Sequence, residues 1–326
     1  MRPSVETIRA LAMEAALVEV VAAMGRRGVA PLLFKGPALA RWLYDDPAER
    51  QFDDLDLLVA PDQWTAANEA LADAGFTERP ALTREETTTR HAATWRREGT
   101  PAVEVDLHRA PFLLADRDQA AVWRAVTAAT ETIDFAGVPV AVPGRAAHAL
   151  IVALHAAQHG YRAPRSVEDL RRALGRVGEA DWRRAAAIAR DLDADARLAA
   201  GLRMLPAGAA LADRLELTDR LGPRLSLHLH DGPKTWGGFD RLAGIESRRE
   251  RARAAVAIAF PSPGYLRVAD PLARRGRPGL ALAYLRRPLR LAVRAPAGFL
   301  AWRRVARDER DRVPGENRHP RAQDQA

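Results

Sequence analysis

The sequence has 326 residues, of which 48% are hydrophobic, so it can build one large domain or two ordinary ones. It contains no cysteine, which excludes disulfides, thiolate chemistry and cysteine-ligated metal sites. The formal net charge is +8, and the basic residues are almost all arginine, with lysine only at positions 35 and 234. A mildly basic surface is the simpler interpretation of this charge, and we do not expect a nucleic-acid partner.

The chain lacks the features of membrane insertion and secretion. No run of about 18 uncharged apolar residues occurs, so no membrane-spanning helix is expected. Glu6 and Glu14 interrupt the apolar N-terminal stretch, which also lacks a signal-peptide cleavage pattern. These absences predict a cytoplasmic protein.

The first elements are a helix, a strand and a second, short helix. Apolar residues recur at helical spacing from Val5 to Met24, and Gly28 is the expected end of this helix. Residues 29–36 predict a short buried strand that runs into a glycine turn. Because proline is favoured in the first turn of a helix, Pro37 to Tyr44 is predicted to be helical.

The next elements complete a predicted sheet. Residues 53–59 indicate a second strand, and residues 61–75 a helix with proline near its start and glycine at its end. Residues 93–108 indicate a β-hairpin, and residues 131–144 another pair of strands. Through residue 143 the pattern therefore predicts a mixed sheet with helices packed on it.

The second half has a different composition. Residues 144–312 carry Ala, Leu and Arg at helical spacing, which predicts a helical domain on the acceptor side of a catalytic domain formed by residues 1–143. Within it, the apolar stretch 280–302 is expected to be cut by Pro288 and Pro296. Residues 313–326 have nothing to bury and should be disordered. The expected fold class is α+β.

Two aspartates on the second strand are the first candidate site. Asp54 and Asp56 should project on the same side, while Leu55 packs into the core. Paired carboxylates are costly unless a cation such as Mg²⁺, arriving with a nucleoside triphosphate, neutralises them. The alternative is a solvated strand end without a ligand.

The preceding glycine turn is the second candidate site. Gly36 would allow a phosphate to approach the backbone at the start of a helix, although Pro37 removes one N–H group from that position. Lys35 and Arg50 are candidate phosphate contacts, because their charge and donors match phosphate oxygens. An ordinary turn and a surface lysine are the alternatives.

A third carboxylate should come from residues 103–108. Glu104, Asp106 and His108 share one strand face, and we select Asp106 as the ligand of a metal that activates the acceptor hydroxyl. Two alternatives stay open: Asp106 could act as a general base, or Glu104 could be the third carboxylate in its place. His108 would orient the acceptor or fill space.

His155 and His159 lie four residues apart and so share a helix face. They would suit a metal pair or acceptor contacts, but partly buried helix histidines without a ligand are the commoner arrangement.

These residues together resemble the DNA polymerase beta-like nucleotidyltransferase superfamily, in which a hydrophobic strand, a glycine turn and a D-x-D strand precede a third carboxylate. More narrowly, the sequence resembles a poorly characterised bacterial nucleotidyltransferase family that often accompanies lasso-peptide and other peptide biosynthesis genes. The matching positions are Lys35, Gly36, Tyr44, Arg50, Asp54 and Asp56, then residues 103–108, 153–160 with Asp169, and 260–267.

The resemblance implies a nucleotidyltransferase-type sheet, followed by a mostly helical region. It also implies transfer of a nucleoside monophosphate from an NTP to a hydroxyl or, less readily, a phosphate acceptor, with Mg²⁺ or Mn²⁺ held by Asp54, Asp56 and Asp106. The acceptor is open: a small molecule, a peptide, a protein or an RNA end. The alternatives are an inactive scaffold with the same fold, and a nucleic-acid or membrane-surface protein based on the Arg-rich C-terminal third.

Overall fold

The computed structural model describes residues 5–79, 92–218, 226–227, 233, 235–245 and 247–312. The predicted disordered tail, residues 313–326, lies outside these described residues. The chain divides into two compact units at residue 220. Helices that follow the sheet as far as this boundary belong to the same compact unit as the sheet, so the division of roles at residue 143 stays a prediction.

The first unit is built on a mixed five-stranded sheet in the order β1-β2-β5-β4-β3. Its central pair, β2 and β5, is parallel, and the other neighbours are antiparallel. A separate antiparallel hairpin follows it. The strands are β1 Leu32–Leu33, β2 Leu55–Leu58, β3 Thr77–Glu78, β4 Ala92–Arg97, β5 Val103–His108, β6 Thr130–Phe135 and β7 Val138–Pro143.

Thirteen α-helices lie within the described residues, and no described strand follows β7. The predicted α+β architecture is therefore confirmed. None of these helices combines the length and apolarity needed to cross a membrane. They are α1 Val5–Arg26, α2 Pro37–Leu43, α3 Trp64–Asp73, α4 Gln119–Thr127, α5 Arg145–His159, α6 Pro164–Arg176, α7 Glu179–Asp191, α8 Asp195–Leu202, α9 Pro206–Arg214, α10 Trp236–Ala243, α11 Arg248–Ala259, α12 Pro263–Ala269 and α13 Gly276–Arg312.

The apolar face of the sheet is covered by α1 and α3. Leu55 and Leu57 on β2 and Val105 on β5 are fully buried, in one cluster with Leu17 and Met24 of α1. Because strand side chains alternate, burial of these residues turns the intervening aspartates to the opposite face. The core thus determines which face of the sheet carries the polar site.

The expected break in the C-terminal apolar stretch does not occur. Pro288 and Pro296 lie inside α13, which continues over 37 residues. Packing before and after the prolines holds the helix: Ala283 is buried against Leu266 and Ala273, and Trp302 lies against Phe239. Tertiary contacts on both sides offset the hydrogen bonds that the two prolines cannot donate.

Candidate active site

Asp56 and Asp106 lie directly opposite each other on the parallel strands β2 and β5. Their neighbours Leu55 and Val105 form the adjacent register pair and point into the core. The two aspartates therefore share the polar face of the sheet, on neighbouring strands from distant parts of the sequence. This register brings together two of the three predicted carboxylates.

Lys35 and His108 both contact one oxygen of Asp56. Lys35 Nζ donates to Oδ1 over 2.7 Å, and His108 Nε2 lies 2.9 Å from the same oxygen. Burial by itself would raise the pKa of Asp56, but the Lys35 charge and the His108 hydrogen bond outweigh it and hold that pKa well below its usual range. Asp56 is therefore ionised at neutral pH.

The pKa values of Asp54 and Asp106 are shifted in the opposite direction, upwards. Burial, with the charges of Asp56 and Asp106 acting in the same direction, raises the pKa of Asp54 to about 7. Burial also raises the pKa of Asp106, with Asp56 adding to the effect. The site thus concentrates more negative charge than Lys35 neutralises, which is the condition that a bound cation relieves.

The donor set fits a divalent metal ion. Single ligand atoms of Asp56, Asp106 and His108 all lie within 4.8 Å of one another. Asp106 Oδ1 is buried, with no hydrogen-bond partner within the described part of the chain. A buried carboxylate oxygen without a partner is suited to a hard cation such as Mg²⁺ or Mn²⁺. His108 joins this group, whereas Asp54 contributes charge beside it.

Glu104 is engaged elsewhere on β5. Its Oε1 accepts hydrogen bonds from Arg79 over 2.5 Å and from Arg96 over 2.6 Å. It also lines a cavity of about 520 Å³ together with residues near the start of α1 and the β4–β5 turn. Two guanidinium groups therefore neutralise Glu104, and this geometry favours Asp106 as the third carboxylate.

The glycine turn is packed against the strand that carries the aspartates. Gly36 has φ of +57°, and a Cβ atom there would lie 3.0 Å from the backbone oxygen of Asp54. Just before it, the Phe34 N–H donates to the backbone oxygen of Asp56 over 3.2 Å. Only glycine meets both the positive φ and the close approach without strain. The turn thereby places Lys35 beside Asp56.

Arg50 is buried and supports this turn from behind. Its Nη1 donates to the Gly36 carbonyl over 3.0 Å, while Nε and Nη2 donate to the two oxygens of Asp169 over 2.8 and 2.7 Å. Tyr44 Oη also donates to Asp169, over 2.8 Å. Arg50 thus has a positioning geometry, and a direct phosphate contact stays a prediction. Four positions of the family resemblance, Gly36, Tyr44, Arg50 and Asp169, form one network.

His148 on α5 was not identified from the sequence. Its Nε2 lies 3.0 Å from the Phe34 carbonyl, and its ring stacks on Trp42 with centroids 4.5 Å apart. Burial lowers the pKa of His148 to about 4, so the ring is neutral and donates this bond. The sequence pattern that could have identified His148 is its spacing, because it precedes His155 by two helical turns and so shares its helix face.

His155 also faces the site. Burial lowers its pKa well below the usual value, and the charge of Lys35 acts in the same direction, which indicates proximity to that lysine. The rings of His155 and His159 are 4.6 Å apart. Among the described residues, neither belongs to a metal-ligating group of three or more side chains. The predicted histidine pair is therefore present without a third metal ligand.

A family described as "Uncharacterised nucleotidyltransferase" matches residues 4–207. No curated protein matches the sequence. A solution structure of the antibiotic-resistance factor ANT(2'')-Ia aligns at 15% identity with a TM-score of 0.37, over 56% of this chain and 93% of that one. A crystal structure of ANT(2'')-Ia in complex with adenylyl-2''-tobramycin gives 16% identity, a TM-score of 0.39, and 55% and 97% coverage. A crystal structure of an antigenic nucleotidyltransferase-like protein from Paracoccidioides brasiliensis aligns at 16% identity with a TM-score of 0.36, over 57% of this chain and 93% of that one.

Proposed function

The chain belongs to the uncharacterised nucleotidyltransferase family and is a nucleotidyltransferase, and from this premise we propose that it moves a nucleoside monophosphate from an NTP to a hydroxyl acceptor. The bond between the α-phosphorus and the bridging oxygen of pyrophosphate breaks as the acceptor oxygen bonds to that phosphorus. Pyrophosphate leaves, and the hydroxyl proton passes to a carboxylate of the site or to water.

The observation that carries this proposal is the register of Asp56 opposite Asp106, with Lys35 on Asp56. Asp54, Asp56 and Asp106 would hold Mg²⁺ or Mn²⁺; ligand atoms of Asp56 and Asp106 lie in one group with His108, and Asp54 lies on the same strand as Asp56. The metal supplies neutralisation of the triphosphate and activation of the acceptor hydroxyl. From its position beside Asp56, Lys35 would donate to a phosphate oxygen of the NTP. Gly36, which has no side chain, leaves room for the phosphate to approach the backbone.

We also propose that Asp106 takes part in moving the acceptor proton. Its Oδ1 has no hydrogen-bond partner within the described residues, and burial raises its pKa. A carboxylate with a raised pKa is a better proton acceptor at neutral pH than an exposed aspartate. Asp106 is therefore assigned to the acceptor side, and Asp54 and Asp56 to the triphosphate side.

The acceptor is proposed to be a small molecule, a peptide or a protein, bound beside the polar face of the sheet. Support for a peptide comes from the resemblance to a family that accompanies lasso-peptide biosynthesis genes. The predicted cytoplasmic location, in which ATP and Mg²⁺ are abundant, belongs to the same proposal.

The test is incubation of the purified protein with each α-³²P-labelled NTP, Mg²⁺ or Mn²⁺, and fractions of a cell extract. We expect a labelled product and released pyrophosphate that both disappear in EDTA and with Asp106→Asn. Glu104→Gln is the matched control, since it removes a charge from the same strand face. Product formation that persists in EDTA would contradict metal dependence, and NTP binding without any product would favour a scaffold.

A further inference from the structure

The outer face of α13 carries a stripe of exposed large apolar side chains. Their spacing of three, four, four and seven residues keeps all five within one side of the helix. The exposed fractions are 52%, 69%, 68%, 82% and 55% for Leu282, Leu285, Leu289, Val293 and Leu300. We call this set the α13 stripe. Such a contiguous exposed apolar surface indicates an interaction site.

The stripe is not the face by which α13 packs in its own unit. On the other side of the helix, Tyr284 donates a hydrogen bond to the Pro261 carbonyl over 2.6 Å. Phe299 and Trp302 lie with ring centroids 5.4 and 6.5 Å from Phe239. The helix therefore has its internal partners without the stripe, and a substitution within the stripe leaves the packed face intact.

Over the length of the stripe, arginines are the only charged residues of α13 itself. Between residues 276 and 307, α13 contains eight arginines and neither Asp nor Glu. Arg286 pairs with Asp270 over 2.7 Å and Arg287 donates to the Ile258 carbonyl over 2.9 Å, so these two serve the unit itself. Arg290, whose charge also acts on Asp270, and Arg294 are exposed along one edge of the stripe. The outer face thus combines apolar side chains with positive charge.

We propose that the α13 stripe binds the surface of membranes containing anionic phospholipid. From Leu282 to Leu300 the stripe is about 27 Å long at the rise of an α-helix. An apolar ridge of this kind enters the headgroup region of a bilayer, while arginines along its edge reach lipid phosphates. The helix lies on the membrane, consistent with the finding that none of the described helices can span one.

Charge favours an anionic membrane over a second copy of the chain as the partner of the α13 stripe. An antiparallel pairing of two α13 stripes would bring Arg290 and Arg294 of both copies to the same edge, and like charges at an interface oppose association. An anionic bilayer instead provides phosphates for the arginines and an apolar layer for the leucines. The proposal concerns the second compact unit and is independent of the transferase activity.

The test is co-sedimentation of the full chain with vesicles of phosphatidylcholine alone, or of phosphatidylcholine and phosphatidylglycerol in equal amounts. We expect binding to the anionic vesicles that weakens as salt is raised, and much weaker binding to phosphatidylcholine. Arg290→Gln with Arg294→Gln should lower the partition coefficient ~25-fold, at about fivefold for each arginine. Leu285→Ser with Leu289→Ser should lower it at least tenfold for each leucine.

Matched controls carry the same chemical changes elsewhere. Arg183→Gln with Arg184→Gln removes two exposed arginines from α7, and Leu11→Ser removes an exposed leucine from α1. Both controls should sediment as the unchanged protein does. Absence of binding to anionic vesicles, or equal loss in the controls, would overturn the proposal. A dimer in ultracentrifugation that is lost in the leucine variant, without vesicle binding, would assign the stripe to a second copy instead.

Discussion

Arg50 and Asp169 form a buried bidentate ion pair between side chains 119 positions apart in the sequence. The pair joins α6 to the loop before β2, and the third guanidinium contact holds the Gly36 carbonyl. Asp169 also accepts the Tyr44 hydroxyl, so its two oxygens have three donors. The position of the glycine turn therefore depends on Asp169, a residue far from Asp54, Asp56 and Asp106 in the sequence.

Replacement of either partner should destabilise the protein strongly. Arg50→Ala or Asp169→Ala leaves an unpaired buried charge, and we expect a loss of about 3–5 kcal/mol in the free energy of unfolding. Urea denaturation at neutral pH measures this loss. Arg50→Lys keeps the charge but cannot reproduce the bidentate geometry, so it should also destabilise the fold.

The exposed pair of Arg183 and Glu179 provides the control, because both side chains are largely in solvent. Arg183→Ala should change the free energy of unfolding by less than about 1 kcal/mol. An effect of Arg50→Ala as small as this would show that Arg50 is available for a ligand.

Substitutions of Asp56 and of Asp106 should affect different steps of the reaction. Asp56→Asn should weaken metal-dependent NTP binding and abolish turnover, because Asp56 is a proposed metal ligand and is the carboxylate that Lys35 contacts. Asp106→Asn should leave NTP binding nearly intact and slow the chemical step by about a hundredfold or more. Thermal shift with NTP and metal measures the binding, and single-turnover kinetics measure the chemical step.

Glu104→Gln is the control for this separation, since Arg79 and Arg96 occupy that carboxylate. It should retain transfer. If Glu104→Gln abolishes transfer while Asp106→Asn keeps it, the assignment of the third carboxylate is wrong, although the enzyme class is unaffected.

Asp54 should make the metal-free protein less stable as the pH rises. Its folded-state pKa is about 7, above the unfolded value of about 3.9, so its contribution is complete below the unfolded pKa and is lost as pH rises towards 7. Asp54→Asn should therefore have a higher Tm than the unchanged protein without metal, by a margin that grows between pH 4 and 7 and then levels off. Differential scanning calorimetry in EDTA measures this margin.

The exposed neighbour Asp53 is the control, since its side chain is 64% exposed. Asp53→Asn should show a much smaller pH-dependent margin, because the charge of Asp53 raises the pKa of Asp54 less than those of Asp56 and Asp106 do. Addition of NTP with Mg²⁺ should reverse the order, because only the ionised Asp54 contributes to the cation site. A lower Tm for Asp54→Asn at every pH would contradict the origin proposed for this effect.

His148 should make stability fall in mild acid. Its folded-state pKa of about 4 lies below the unfolded value of 6.5, so its contribution is present above pH 6.5 and is lost as pH falls towards 4. The loss from this group is at most about 3 kcal/mol. His148→Gln should flatten the stability curve in this window, as measured by urea denaturation at a series of pH values.

The unchanged protein, measured over the same pH series, supplies the comparison. An unchanged slope in His148→Gln would instead show that His148 is protonated within the folded protein.

Several features follow from the sequence alone because they depend on local periodicity. Alternation in residues 53–59 and 103–108 predicts two strands with a polar and an apolar face, and it places Asp56 and Asp106 on polar faces. Glycine and proline at positions 36 and 37 predict the turn and the helix after it. The helical character after Gly144 follows in the same way. These assignments need only neighbours within a few residues.

Other features were decided by tertiary structure. Alternation determines the face of a side chain but not which residue of another strand lies beside it, so the register of Asp56 opposite Asp106 required the assembled sheet. The approach of Lys35 and His108 to one oxygen of Asp56 has the same origin. The ion pair between Arg50 and Asp169 depends on the packing of α6. In α13, local sequence effects predicted a break at Pro288 and Pro296, but the helix continues, with packing contacts both before and after the prolines.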